Sequence, residues 1–138
     1  MKFRYIVIVG FIMGLGHFSA LKLGLYQGKI WVDMPLHFLG GIFLAMIWWW
    51  LTCVLRTKME DKTVVLTSFL GFVSIGSTIW ELYEYGLWYY YTEIAKNLKL
   101  YSPEVSDVLS DMTLALLGGI FIAILYMRRI KVVEEING

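Results

Sequence analysis

Four long runs of apolar residues alternate with short polar stretches along the 138-residue chain. Each run can supply the roughly 20 helical residues that cross a hydrocarbon layer about 30 Å thick. The runs lack the strict alternation of transmembrane strands, and a closed barrel needs more segments than this chain offers. The pattern therefore predicts an all-α polytopic membrane bundle, with transmembrane helices over about residues 3–25, 34–55, 64–91 and 103–127.

Residues that favour helix starts stand where these runs begin. Asp33 is placed to cap the second helix, with Pro35 in its first turn. The Ser-Pro-Glu triplet at 102–104 combines a cap, a proline suited to the first helical position and an acid at the positive end of the helix dipole. Polar links are predicted over residues 56–63 and 97–102.

Composition supports a membrane domain and excludes several other classes of protein. Apolar residues make up 59% of the chain and charged residues 17%, against about 45–50% and 25% in soluble domains. The net charge of +1 provides no basic field for nucleic acid. The lone Cys53 can form neither an internal disulfide nor a thiolate metal site. Residues 1–138 are predicted to form one domain within the lipid bilayer.

The first apolar run is predicted to be a retained helix. It extends to about Ala20, whereas the apolar region of a secretory signal spans only about 7–15 residues. It also lacks a clear cleavage pattern of small residues. This run therefore counts as the first transmembrane helix.

The distribution of Lys and Arg predicts the orientation of the bundle. If the N-terminus is cytoplasmic, eight basic residues lie on that side: Lys2, Arg4, Arg56, Lys58, Lys62, Arg128, Arg129 and Lys131. The opposite side then carries four: Lys22, Lys29, Lys96 and Lys99. Since cytoplasmic loops are enriched in basic residues, both termini are predicted to be cytoplasmic and the protein to reside in the inner (cell) membrane.

Two further patterns are typical of membrane helices. Small residues recur four positions apart, which lets helix backbones approach closely and also favours a homo-oligomer as a partner arrangement. They are Gly10 with Gly14, Gly41 with Ala45, and Ala115 with Gly119 and Ala123. Aromatic residues at 48–50 and 88–91 are predicted to form belts at the two membrane interfaces.

Ionisable residues within the apolar runs are the main candidates for function, because an acid at mid-bilayer costs about 2.5–3.5 kcal/mol. Three pairs share helical faces: Asp33 with His37, Glu81 with Glu84, and Asp107 with Asp111. The second and fourth helices begin on the side where the third ends. All three pairs therefore lie at one depth and are expected to converge on a site that opens outward.

Five carboxylates at one depth need positive charge or protons, since like charges this close cannot all stay ionised alone. Lys22 is the one base of the chain near that level. A divalent cation is therefore predicted, with His37, Glu81, Glu84, Asp107, Asp111 and Asp33 as its candidate ligands. One imidazole among carboxylates suits Mg²⁺, Mn²⁺ or Fe²⁺, with Zn²⁺ as a further choice. No organic cofactor is indicated.

Structural roles are the alternative for each of these residues. Asp33 can be only a helix cap, and Asp107 and Asp111 can be solvated acids of a first helical turn. Glu81 and Glu84 are hardest to explain in this way because they lie deepest. Packing is the alternative role for His37 and the predicted role of His17 and Ser77.

At these residues the chain resembles the YjdF-like family of small polytopic bacterial inner-membrane proteins, whose function is unassigned. Three ordered motifs within residues 30–120 carry the resemblance: Asp33-x-x-x-His37-Phe38-x-Gly40-Gly41, Trp80-Glu81-x-x-Glu84 and Asp107-x-x-x-Asp111-Met112-x-x-Ala115-Leu116-x-Gly118. The first motif is also similar to that of the VanZ-like proteins, which are linked to glycopeptide-antibiotic tolerance. The resemblance implies a membrane location and a shared polar cluster.

The chain departs from the YjdF-like pattern just before the last motif. Pro103 stands where glycine is usual, and Glu104 replaces a shorter acid. The resemblance supplies no reaction.

Three functions are compatible with these residues. The preferred hypothesis is a metal-dependent enzyme that acts on a lipid or lipid-linked substrate, with Glu81, Glu84 and Asp111 as catalytic candidates. The second is a cation or proton transporter, or a sensor, although no ionisable residues continue a path through the other halves of the helices. The third is a structural subunit of a larger membrane complex.

Overall fold

The computed structural model describes residues 1–25, 33–57, 59, 61–97 and 104–137, with side chains up to residue 130. Within these ranges the chain forms five α-helices and no strand: α1 (Phe3–Leu23), α2 (Met34–Val54), α3 (Lys62–Tyr90), α4 (Thr92–Asn97) and α5 (Val105–Asn137). Four of them, all except α4, are long and apolar enough to cross a membrane. The predicted all-α bundle with four membrane-spanning helices is confirmed.

Several helix bounds differ from the predicted ones. Helix α3 begins at Lys62 because Asp61 caps it, accepting a hydrogen bond of 2.9 Å from the Val64 amide. The short α4 was not predicted. Helix α5 runs past its apolar part, which ends at Ile130, because Lys131, Glu134 and Glu135, which follow it, are good helix formers. Of the predicted cap at 102–104, Ser102 and Pro103 lie outside the described residues.

Asp33 occupies the N-cap position of α2, as predicted, but its side chain makes no capping hydrogen bond. Its backbone is already helical, with φ −76° and ψ −36°. Its carboxylate lies beside His37, one turn further along the helix, instead. The acid therefore belongs to a side-chain cluster and does not close the helix end.

Helices α2 and α5 form the closest contact of the bundle, and glycine makes it possible. A Cβ atom on Gly41 would collide with the backbone of Ala115, and one on Gly118 would collide with the carbonyl oxygen of Phe38. Helix α3 packs against both α2 and α5, while α1 packs against α2. These glycines serve contacts within one chain, and a homo-oligomer stays a prediction.

We call the end of the bundle where α1 and α3 finish and α2 and α5 begin the cluster end, and the other end the core end. The core end holds the fully buried side chains of Val65, Phe69 and Val73. Trp49 and Tyr126 complete this core, with ring centroids 5.3 Å apart. The prediction that Trp49 belongs to an interfacial belt is wrong, because α5 covers it and leaves it only 9% exposed.

The remaining surface is apolar, as expected of helices in contact with lipid. Phe11, Ile75 and Leu109 expose 66%, 65% and 61% of their surface. Tyr89 and Tyr90 are also exposed at the cluster end, which fits the predicted aromatic belt there. The bundle therefore directs apolar side chains outward and buries its ionisable ones, His37, Glu81 and Asp111, at a single level.

Candidate metal centre

The site is built around His37, which lies one turn into α2 and is only 9% exposed. Its ring has two nitrogens that point in different directions. Nε2 lies 3.3 Å from Oδ2 of Asp33, its neighbour at i−4 on the same helix face. The first pair of the predicted cluster is therefore fixed by helix geometry alone.

Helix α5 adds Asp111 on the same side of the ring. Its Oδ2 lies 3.6 Å from His37 Nε2, and the residue is 4% exposed. The close approach at Gly118 and Phe38 brings the two helices together immediately beside His37. The glycine contact between α2 and α5 thus sets the position of this acid.

Helix α3 supplies the other side of the ring. Oε1 of Glu81 lies 3.8 Å from His37 Nδ1, beyond hydrogen-bond distance. Glu81 is 7% exposed, and this oxygen is buried without any hydrogen-bond partner. Glu84, at i+3 on the same helix face, lies beside it. Buried polar atoms are nearly always paired, so an orphaned carboxylate oxygen indicates a missing ligand or proton.

The donor atoms form two overlapping triads that share His37. One triad is Asp33, His37 and Asp111, and the other is His37, Glu81 and Glu84. Within each triad the donor atoms all lie within 4.8 Å of one another. Two ligands of one ion, each bonded at about 2.0–2.6 Å, are separated by no more than about 5 Å. Either triad therefore matches the ligand spacing of a single divalent cation.

The cluster carries more negative charge than nearby bases can neutralise. Among the described residues, His37 is the one base within salt-bridge distance of its acids. The predicted Lys22 is exposed and contributes no salt bridge in the described part of the chain. Burial in a low-dielectric region makes this charge surplus costly. A cation or shared protons must offset it.

A cavity of about 380 Å³ adjoins the cluster between α1, α2 and α3. Asp33, His37 and Glu84 line one part of it. The rest of its lining is largely apolar and includes Met13, Leu36, Gly40, Phe43 and Leu44. The centre is therefore accessible to a molecule that carries both polar and apolar groups.

A family model for predicted membrane proteins, DUF2238, matches residues 2–131. The chain belongs to the DUF2238 family. The YjdF-like resemblance indicated this same family and is confirmed. No curated protein and no solved structure matches the chain significantly. The more distant similarity to VanZ-like proteins stays a prediction.

Five of the six predicted metal ligands of this DUF2238 protein meet in the two triads. Asp107, the sixth, is half-buried one turn before Asp111 and belongs to neither triad. The roles assigned to Glu81, Glu84 and Asp111 in catalysis stay predictions.

Two other polar residues of the DUF2238 protein lie beside the cavity. Ser77 donates a hydrogen bond of 3.2 Å to the carbonyl oxygen of Ser74, as expected of a packing hydroxyl. His17 on α1 meets the ring of Trp80 on α3 edge-on, with centroids 6.0 Å apart. The contact between these two rings and the cavity behind it were not predicted. One sequence feature could have indicated the cavity. The glycines Gly14, Gly40 and Gly76 line it and leave room along three helices.

Proposed function

We propose that this protein holds one divalent cation within the membrane and uses it for hydrolysis or phosphoryl transfer on a lipid or lipid-linked substrate. The ion binds His37 through Nδ1, together with Glu81 and Glu84. The observation that carries the proposal is the buried Oε1 of Glu81, which has no hydrogen-bond partner.

The second triad then has a supporting role. A metal-binding histidine usually donates its other N–H to a carboxylate, which fixes the orientation of the ring. Oδ2 of Asp33 and Oδ2 of Asp111 both lie near His37 Nε2, at 3.3 and 3.6 Å. Asp33 accepts the hydrogen bond that Nε2–H donates, the negative charge of Asp111 lies beside it, and Nδ1 is thereby directed toward the ion.

The donor set limits the choice of metal. Carboxylate oxygens favour Mg²⁺ and Mn²⁺, and a mixture of one imidazole with carboxylates also suits Fe²⁺ and Zn²⁺. The described residues contribute no cysteine to the site, since Cys53 lies near the core end. Copper(I) and iron–sulfur chemistry, which need soft ligands, are therefore disfavoured.

The cation supplies the chemistry by making a coordinated water more acidic and by polarising a phosphoryl group. In hydrolysis the oxygen of that water bonds to phosphorus, and the ester P–O bond breaks. The leaving alkoxide takes up a proton. Asp33 lines the cavity beside the site, and its carboxylate oxygen that does not face His37 could accept the proton of the water and return it to the alkoxide.

The side of the membrane follows from the basic residues. Among the basic residues whose side chains the structure describes, six lie toward the core end and two, Lys22 and Lys96, lie toward the cluster end. By the positive-inside rule the core end faces the cytoplasm. The metal centre then opens toward the outer leaflet of the inner membrane.

Metal analysis of the purified full chain tests the proposal. We expect about one equivalent of a divalent metal per chain, loss of that metal in Glu81→Gln, and a lower melting temperature in this variant. A chelator should produce the same decrease in the wild type and no further decrease in Glu81→Gln. Asp107→Asn is the matched control, because it removes an acid of the same region that belongs to neither triad.

The opposite result would indicate shared protons. Neutral carboxyl groups can hydrogen-bond to one another, and an amide can replace one of them. A wild-type protein without bound metal, together with a Glu81→Gln variant of unchanged or higher stability, would contradict the proposal. The alternative functions as transporter, sensor or structural subunit would then be preferred.

A further inference from the structure

The cavity beside the metal centre has an amphiphilic lining. Its polar groups Asp33, His37 and Glu84 belong to the acid cluster. Phe43 and Leu44 lie deeper along α2 and mark its apolar end. The lining therefore complements a molecule with a polar head and a hydrocarbon tail.

The cavity is large enough for such a molecule. The eleven helical steps from Asp33 to Leu44 correspond to about 16 Å along the helix axis, at about 1.5 Å per residue. The volume of about 380 Å³ lies within the range of about 300–1,000 Å³ that is typical of small-molecule sites. A lining that extends this far along α2 suits one hydrocarbon chain better than a compact polar substrate.

The side of the cavity between α1 and α3 faces the bilayer. His17 and Trp80 meet there edge-on, and Trp80 is 41% exposed. Gly14 on α1, which lines the cavity, is exposed as well, and Ile79, beside Trp80 on α3, exposes 61% of its surface. A molecule entering past these rings would come from the lipid phase and not from water.

From this arrangement we infer that the cavity binds one hydrocarbon chain of a lipid phosphate and places the phosphate at the metal centre. The inference rests on the proposed function, because the carboxylates would repel a phosphate unless a cation lay between them. The chain end lies near Phe43 and Leu44. The substrate class is thus a lipid phosphoester that enters sideways between α1 and α3.

Photolabelling of the full chain in detergent tests this inference. The probe is decyl phosphate with a diazirine at the end of its chain, added to protein loaded with Mn²⁺. We expect the label on the part of α2 around Phe43 and Leu44 and on α3 around Gly76. Removing Mn²⁺ with a chelator should lower this labelling about 10-fold, and inorganic phosphate alone should compete only weakly.

A pair of glycine variants distinguishes binding of the probe in the cavity from binding on the outer surface of the bundle. Gly14 lines the cavity, and a Cβ atom there would meet no atom within 4 Å, so Gly14→Leu extends into free space. We expect the labelling of this variant to be at least about 10-fold lower than that of the wild type. Gly71→Leu is the matched control, since Gly71 is equally unobstructed but lies outside the cavity. It should label like the wild type.

A measurement on the wild type alone keeps the test valid if Gly14→Leu fails to fold. Alkyl phosphates of increasing length should compete with the probe more strongly until the chain reaches the apolar end of the cavity, and equally beyond that length. Competition that rises without limit with chain length would reflect micelle partitioning and would overturn the inference. So would labels confined to lipid-facing residues such as Leu15 and Ile79.

Two further arms separate this inference from the proposed function. Equal labelling after chelation, or tighter binding of decylamine than of decyl phosphate, would overturn the assignment of a phosphate head. Bound metal without cavity labelling would overturn the lipid inference and leave the metal centre intact. Absence of bound metal in the same sample would overturn the proposed function as well.

Discussion

The two ends of this bundle use the same four long helices for opposite purposes. At the core end, Phe69, Val65 and Val73 are fully buried and pack against aromatic rings. At the cluster end, the buried side chains include three ionisable ones: His37, Glu81 and Asp111. A cavity of about 380 Å³ lies beside them.

This difference indicates that stability and function depend on different ends of the bundle. Close packing without voids supplies favourable dispersion contacts, which in a membrane replace much of the hydrophobic effect between helices. Buried acids with an orphaned oxygen and an adjoining cavity contribute no such packing and cost free energy unless a ligand compensates. We therefore expect the core end to maintain the fold and the cluster end to depend on its ligand.

The largest expected effect concerns which end faces the cytoplasm. Reporter fusions after Asn97, at the cluster end, and after Gly138 should report opposite sides of the membrane, because an odd number of spans separates them. The positive-inside rule places the C-terminal reporter in the cytoplasm. Reporters on the same side would contradict the four-span topology, and an external C-terminus would reverse the assigned orientation.

The next largest effect, on the free energy of unfolding, is expected at the contact between α2 and α5, between the two ends of the bundle. Gly41→Val should lower the free energy of unfolding by at least about 3 kcal/mol, because its side chain would collide with the Ala115 backbone between α2 and α5. Unfolding in mixed detergent micelles measures the loss. Gly71→Val, at an unobstructed position of α3, should change it by no more than about 1 kcal/mol. Similar losses in both variants would show that the glycine contact does not control the packing.

Loss of the shared histidine should be the largest effect confined to the cluster end. His37→Gln removes the residue common to both triads and should abolish metal binding. At a metal concentration about 100-fold above the dissociation constant, bound metal stabilises the fold by about 2.7 kcal/mol, which this variant should lose. Thermal unfolding with and without metal measures the effect. A variant that metal still stabilises would show that His37 is not a ligand.

A smaller effect, on metal affinity, is expected for Asp111 and shows whether the centre binds one ion or two. If Asp111 only orients the His37 ring, Asp111→Asn should weaken metal binding about 10–100-fold and leave the number of bound ions unchanged. Titration calorimetry on the purified protein reports both quantities. A decrease from two bound ions to one would instead assign an ion of its own to the triad of Asp33, His37 and Asp111.

The smallest effect is expected at Asp107. Because this half-buried acid belongs to neither triad, Asp107→Asn should leave metal binding unchanged and alter the free energy of unfolding by no more than about 0.5 kcal/mol. Metal analysis and thermal unfolding, run beside Glu81→Gln, measure both. A loss of metal comparable to that of Glu81→Gln would show that Asp107 is a ligand, as the sequence predicted.

Sequence reasoning reached the number of membrane-spanning helices because each apolar run specifies its own length and depth. It also placed Glu81 and Glu84 on one helix face at the level of His37, since the helical period fixes both direction and rise. It failed at Trp49, whose burial depends on α5. Interfacial tryptophans and core tryptophans near a helix end have the same sequence pattern.

The sequence by itself therefore determined the four long helices, their approximate ends and the common depth of the acids, all of which are properties of single segments. Only the tertiary structure decided which acids meet. The rotation of each helix about its axis depends on contacts such as that of Gly41 with Ala115. This rotation brings Asp111 to one edge of the His37 ring and Glu81 to the other, and leaves Asp107 outside both triads. The tertiary structure also decided the cavity, because residues of several helices line it and no single segment determines the space between them.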